Sequence, residues 1–351
     1  MNNTFYTLGD PSVTPDPSVL PPLGADPAEA RRTFSRIGIA YAVLVLALQI
    51  TAVVAQYLLY FLAPAVLSYW WINWVFSLVP LYGVALPLMW LILKGMPVSP
   101  HNRDYAINRT ATLEKTPFHM GHWTILLVIA FGCMTAGSLV GNVIMMILSA
   151  LLDYDYANAL AAMVDSSPVW ATFLGACVCA PLGEELLFRK LLIDRTRRYG
   201  DLPSILLSGI LFGLFHGNLF QFFYAALVGM LLAYVYTRSG NYWWCVAMHG
   251  VINLMGSIVT PGLAELLPED MVSFTNILQP LIYLFILVWQ YGMLIAGIVL
   301  FCILLSKRKL SRGPEPLYRE NAASVMVGNL GMIVCLVVMG LVMAINLWPI
   351  R

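Results

Sequence analysis

Two adjacent carboxylates, with a guanidinium four residues after the second, stand in the run Pro181-Leu-Gly-Glu184-Glu185-Leu-Leu-Phe188-Arg189, inside an apolar stretch that begins near Val169. A charged side chain at the centre of a bilayer costs about 2.5–3.5 kcal/mol on insertion scales, so acids that persist at such a depth mark function. On a helix Glu185 and Arg189 are spaced i, i+4 and can pair, whereas Glu184 is turned away by about 100° and lies over Phe188. One acid is neutralised by its neighbour. The other is left for chemistry.

Two further polar pairs repeat the i, i+4 spacing inside apolar stretches: Phe212 with His216, and His249 with Asn253. The remaining histidines, His101, His119 and His122, lie in or beside a loop, where solvated imidazoles need no explanation. An isolated intramembrane histidine is equally well explained by an interhelical hydrogen bond. Together with a free carboxylate and an amide, the two histidines make a reacting set. A carboxylate and an imidazole converging in a dry, partly water-accessible cavity suit the activation of one water molecule. His249 and Asn253, on one helical face, supply donors for the oxyanion that forms when water attacks an amide carbonyl. That combination describes peptide hydrolysis. Ser208 and Cys245 have no base partner in the sequence, which argues against a covalent nucleophile. Glu184, His216 and His249 would also serve as three zinc ligands with a position left for water. No His-Glu-x-x-His motif is present, and the preferred reading has no metal, because Asn253 is a better oxyanion donor than metal ligand.

The elements that must position these residues are membrane helices. The chain has 351 residues, 60% hydrophobic and 11% charged, against roughly 25% charged in soluble domains. A net charge of +1 leaves no nucleic-acid footprint. The N-terminal stretch carries Asp10, Asp16 and scattered prolines before any apolar run, the wrong order for a cleaved signal peptide. All six cysteines, Cys133, Cys177, Cys179, Cys245, Cys302 and Cys335, fall in apolar segments and read as small core or lipid-facing residues.

Apolar runs that can enter or span a bilayer fall at about 37–62, 73–93, 123–151, 168–190, 203–217, 219–237, 241–260, 280–305 and 324–348. The fifth is short. Lys and Arg cluster on alternate connections: Arg31, Arg32 and Arg36; Lys94 through Lys115; Arg189 through Arg198; Arg238; and Lys307 through Arg319. The intervening loops carry Asp153, Asp155, Asp165, Glu265, Glu269 and Asp270 instead. The positive-inside rule then predicts nine spans with a cytoplasmic N-terminus, Arg351 being a mild exception. The fold class is all-α, a polytopic transmembrane helical bundle in the cell membrane. Four segments are expected: a flexible Pro-rich tail over 1–36, two helices and a cytoplasmic loop over 37–120, a core over 121–260, and two C-terminal helices over 261–351.

Helix arithmetic gives the relative heights. Glu184 and His216 are each about 16 residues from the Gly200-Asp201 turn, so a hairpin brings them level. The same counting leaves His249 roughly three turns lower than His216 and Asn253 about two. Counted from Arg189 and Gly240, Glu184 and His249 lie roughly 7–14 Å from the cytoplasmic boundary. Pro181 loosens the helix one turn before Glu184, and Gly183, Gly213, Gly217 and Gly250 allow close helix contact.

Glu184-Glu185-x-x-x-Arg189, Phe212-x-x-x-His216 and His249-x-x-x-Asn253, in that order, resemble the CPBP family: the CAAX prenyl proteases and the bacteriocin-processing or immunity membrane endopeptidases, also called Abi. The flanking Tyr234-Val-Tyr-Thr-Arg-Ser-Gly240 and Trp243-Trp244 also look like the family's connection between its second and third motifs. The resemblance covers about residues 121–260. It implies an all-helical intramembrane protease in which Glu184 and His216 activate water and His249 and Asn253 support the oxyanion, with Glu185, Arg189 and Phe212 completing the motifs. The family has been described as both metalloprotease and glutamate-type protease, and the metal-free picture dominates. The expected partners are the lipid bilayer and a membrane-associated protein or peptide substrate. The other classes in play are a non-catalytic peptide-binding or immunity-type protein and a proton-relaying transporter. The latter lacks an inverted repeat.

Overall fold

With no water in the hydrocarbon to bond a free backbone, chains that enter it fold as helices, and every long described segment here does so. The structure, a computed structural model, describes residues 24–98, 118–156, 158–268, 270, 273–307, 310 and 312–347. Nine apolar helices organise it: α1 Pro27–Leu62, α2 Trp71–Leu93, α3 Met120–Leu152, α4 Val169–Tyr199, α5 Asp201–Phe215, α6 Leu219–Ser239, α7 Tyr242–Ala264, α8 Leu278–Ser306 and α9 Leu330–Asn346. Short helical turns at Pro64–Ser68, Ala159–Asp165 and Ala322–Met326 fill connections. The described residues contain no strand, so the all-α class holds.

Seven of the nine are long and apolar enough to cross a membrane. The other two, α5 and α9, have 15 and 17 residues. At about 1.5 Å per residue they rise roughly 22–26 Å, less than a hydrocarbon core of about 30 Å.

Two sequence boundaries move. The tail expected over 1–36 is already helical from Pro27: Asp26 caps α1 by accepting from the Ala28 amide at 3.0 Å, and Pro27 occupies the first turn, where its missing N–H costs nothing. Residues 1–23 of that tail, and most of the 95–122 connection with His101, lie outside the described residues. The fourth helix does not end near 190 but continues through Arg189 to Tyr199. Arg189, Arg195 and Arg197 are buried rather than loop cations: Arg189 pairs with Glu185, Arg195 donates to the Leu191 and Leu93 carbonyls, and Arg197 pairs with Asp201.

Among the described residues the core forms two large clusters with α4 between them, and a small third one in which Trp74 of α2 packs on Ala176 and Cys177 of α4. Phe34, Tyr41 and Leu44 of α1 pack with Met89 of α2, Met332 and Met339 of α9, Leu211 of α5, and Leu187 and Phe188 of α4. Ile129 of α3, Leu232 and Tyr236 of α6, and Met248 and Ile252 of α7 pack with Ile193 of α4. The cysteines are all free, with Cys177, Cys245 and Cys335 buried and Cys302 exposed.

The α1–α9 contact is backbone against backbone. A Cβ on Gly331 would stand 1.8 Å from the Ser35 carbonyl oxygen, and one on Gly38 would stand 2.4 Å from the Gly331 carbonyl carbon. Neither neighbour is a flexible side chain. Gly331→Val is therefore expected to cost about 1–3 kcal/mol by over-packing, read as a lower thermal midpoint of the purified protein in detergent. An unchanged midpoint would contradict this contact.

Candidate active site

Helix α4 presents its acids from a backbone that departs twice from α geometry, with wide π-helical turns at Phe173–Cys179 and Leu186–Leu191 bracketing the α-helical turn Ala180–Glu185. Pro181 opens that short α segment, as its inability to donate predicts. Such turns free carbonyls from the helix ladder, and π-bulges recur at functional sites. Side chains of neighbouring helices donate to this stretch: Tyr41 to the Leu187 carbonyl at 2.7 Å, Tyr82 to that of Cys179, Tyr242 to that of Leu182, Ser208 to that of Phe188 at 2.9 Å, and Asn253 to that of Ala176 at 2.7 Å. Small residues permit the approach. Gly183 faces the Tyr82 ring, Gly213 the Phe222 carbonyl, and Gly250 stands where a Cβ would be 2.8 Å from the Cys177 carbonyl oxygen. Gly217 instead takes a positive φ of 65° after α5.

Within this frame Glu185 and Arg189 form the i, i+4 pair, Nε to Oε2 at 2.8 Å, with both side chains fully buried. The other oxygen of Glu185 meets His249 Nδ1 at 2.8 Å. That nitrogen therefore carries hydrogen and donates, and Nε2 is turned toward Glu184, whose Oε2 lies 3.8 Å away. Glu184 Oε2 is buried and has no hydrogen-bond partner among the described residues, although the side chain as a whole is 14% exposed. A water about 2.8 Å from each atom closes a triangle over a gap of that size.

Phe212 is the residue against which the site is stacked. Its ring centroid lies 4.8 Å from the Arg189 guanidinium carbon, 4.9 Å from the His216 ring and 5.7 Å from the His249 ring. The cation sits over the aromatic face, a favourable electrostatic contact when water is excluded. His216 Nδ1 donates to the Phe212 carbonyl at 2.8 Å, so its Nε2 is the nitrogen available to a reactant.

The structure thus gathers Glu184, Glu185, Arg189 and His249 directly, and brings His216 to the same cluster through Phe212. Asn253 reaches α4 by its bond to Ala176. The three-turn offset counted between His216 and His249 does not appear, since both rings contact Phe212. The count presumed parallel axes, and crossing helices do not add rise in that way. The depth count took Arg189 as the end of its helix, whereas α4 continues to Tyr199. Ser208 and Cys245 are engaged with the carbonyls of Phe188 and Leu232. Among the described residues no three His, Cys, Asp or Glu side chains are grouped so as to hold a metal ion, and Glu184, His216 and His249 do not form such a group.

Sequence reasoning missed Tyr41, Tyr82 and Tyr242. Tyrosines are common in membrane helices, and nothing in their spacing ties them to α4.

Residues 166–255 match the family model described as Type II CAAX prenyl endopeptidase Rce1-like. This stretch is similar to the Rce1-like family over 90 of the chain's 351 residues. It runs from just before α4 into α7 and holds all seven residues of the three motifs. The match is narrower than the 121–260 read from the motifs, and the family it points to is described as one of CAAX-type prenyl endopeptidases. No curated protein and no solved structure matches the chain.

Removing one partner of a buried ion pair strands the other charge. Arg189→Met in this stretch should cost about 3–5 kcal/mol, whereas Glu185→Gln with Arg189→Met should recover much of that loss. Thermal or denaturant unfolding of the two variants checks it, and equal losses would mean that the pair is not coupled.

Proposed function

We propose that this chain is an intramembrane endopeptidase hydrolysing a peptide bond of a membrane-associated protein or peptide, with Glu184 and His216 activating water and His249 and Asn253 stabilising the oxyanion, without a metal. One observation carries the reading. A buried carboxylate oxygen of Glu184 has no hydrogen-bond partner among the described residues and faces an imidazole nitrogen whose ring is already fixed by a second carboxylate. An unmatched acceptor of that kind in a dry site is costly unless a reactant fills it.

In this reading a water held at Glu184 Oε2 attacks the scissile carbonyl carbon. The new C–O bond forms as Glu184 takes the water proton, and the carbonyl π electrons move to oxygen. In this reading His249 works as the imidazolium between the two carboxylates, so that with Nδ1–H on Glu185 its Nε2–H is also present, and the oxyanion accepts from it and from the Asn253 N–H that is not bonded to Ala176. Collapse then breaks the C–N bond, and the departing amine takes the proton that Glu184 removed from water, handed over directly or relayed through His216 Nε2. Glu185 keeps the His249 ring in place, as the carboxylate behind a catalytic histidine does. Arg189 offsets the charge of Glu185, and Phe212 walls the imidazoles from lipid.

A farnesylated peptide ending in a CAAX-type tetrapeptide, presented in liposomes, is the first substrate to try, because the matching family is described by that activity. Glu184→Gln should lower kcat by about 10²–10⁴, and Asn253→Ala by about 10²–10³, with thermal midpoints near that of the parent protein. Undiminished cleavage by Glu184→Gln would refute the assignment.

Treatment with 1,10-phenanthroline should leave the rate unchanged, and the purified protein should carry less than one equivalent of zinc. A chelator-sensitive rate restored by zinc would replace the water-on-glutamate mechanism with a metal-bound one.

A further inference from the structure

Away from the acids lies a cavity that the proteolytic reading does not use. Arg31, Arg32, Ser35, Arg36 and Ile39 of α1, with Ile92 and Asn329, line an open hollow of about 450 Å³. All three arginines are exposed, and no acidic residue lines the hollow. Two of them are anchored. Arg36 donates to the carbonyls of Ile92 and Lys94 at 2.7 and 2.8 Å, and Arg31 to the Gly328 carbonyl and Ser324 Oγ at 3.2 and 3.1 Å. Arg32 makes no hydrogen bond or ion pair with any described residue. The hollow therefore offers a held pair of cations and a third whose fork is open. That is a receptor for an anion.

Its floor indicates what kind. Below the arginines one face of α1 stays exposed through Ile39, Leu46, Ile50, Val53 and Tyr57, at helical spacing. From Arg36 to Tyr57 the helix rises roughly 30 Å at about 1.5 Å per residue, the depth of a hydrocarbon core. Beside the hollow, Lys94 stands 5.4 Å from the centroid of the half-exposed Trp90 ring, a pairing suited to the level of lipid headgroups. Anionic recognition above and a continuous apolar track beneath match an amphiphile rather than a free ion.

We propose that this hollow binds the phosphate headgroup of an anionic phospholipid, with Arg32 supplying the planar fork, Arg31 and Arg36 the surrounding charge, and an acyl chain lying along Ile39, Leu46 and Ile50. The full chain, purified in a neutral detergent, is offered phosphatidylglycerol or phosphatidylcholine, and bound lipid is read by native mass spectrometry. The expected result is preferential retention of phosphatidylglycerol, an apparent affinity about fivefold lower in Arg32→Gln, and no change in Arg319→Gln, which removes an exposed charge elsewhere. Inorganic phosphate should fail to displace the lipid. Equal retention by Arg32→Gln, an equal loss in Arg319→Gln, or displacement by phosphate each overturns the proposal, the last by showing a free-anion site. Cleavage does not enter the readout, so the outcome is independent of the protease assignment.

Discussion

The arrangement depends on answering one charge where no water can reach it. Glu185 is fully buried, and an uncompensated carboxylate in such a place would cost several kcal/mol. Arg189 answers it along the same helix and His249 answers it from α7, so both carboxylate oxygens are engaged. Because the ion pair is local to α4, its geometry is set by the helix itself. Because the imidazole is not, the Glu185–His249 bond fixes where α7 must stand. The placing of His249 Nε2 opposite Glu184 follows, as does the packing of Phe212 against the guanidinium and both imidazoles. A static pair on one helix thereby orients an imidazole on another.

The second constraint is the backbone of α4. Two π-helical turns widen the helix on either side of the acids, and in lipid each carbonyl so loosened needs a donor. Phenol, hydroxyl and amide groups from α1, α2, α5 and α7 donate along this stretch. At about 1 kcal/mol net for each hydrogen bond, no single one decides the fold, but together they hold a non-ideal helix in one register. The distortion is shared among four partners.

What could be read in the sequence was local. Glu185 with Arg189, and Phe212 with His216, are contacts at i, i+4, and charges inside apolar runs announce themselves by their cost. The helical class was equally legible from composition. What could not be read was set by tertiary geometry. His249 reaches across 64 residues to Glu185, and Tyr41 across 146 to Leu187. Rise-counting cannot place such partners unless the crossing of helices is known. The hidden extent of α4 has the same origin. Arg189, Arg195 and Arg197 look like loop cations in the sequence, and only their partners show that they belong inside a packed helix. The early start of α1 was visible in principle, since Asp26-Pro27 followed by Ala, Glu and Arg is a helix-opening pattern that precedes the apolar run.

Two of the phenols that steady α4, Tyr41 and Tyr82, lie outside the matched stretch 166–255. The boundary of family likeness is therefore not a boundary of folding. A fragment cut to the matched length would keep every motif residue, yet two backbone oxygens beside its acids would face hydrocarbon bare. The motif residues and the groups that brace them run over different lengths of the chain, and α1 and α2 belong to the second.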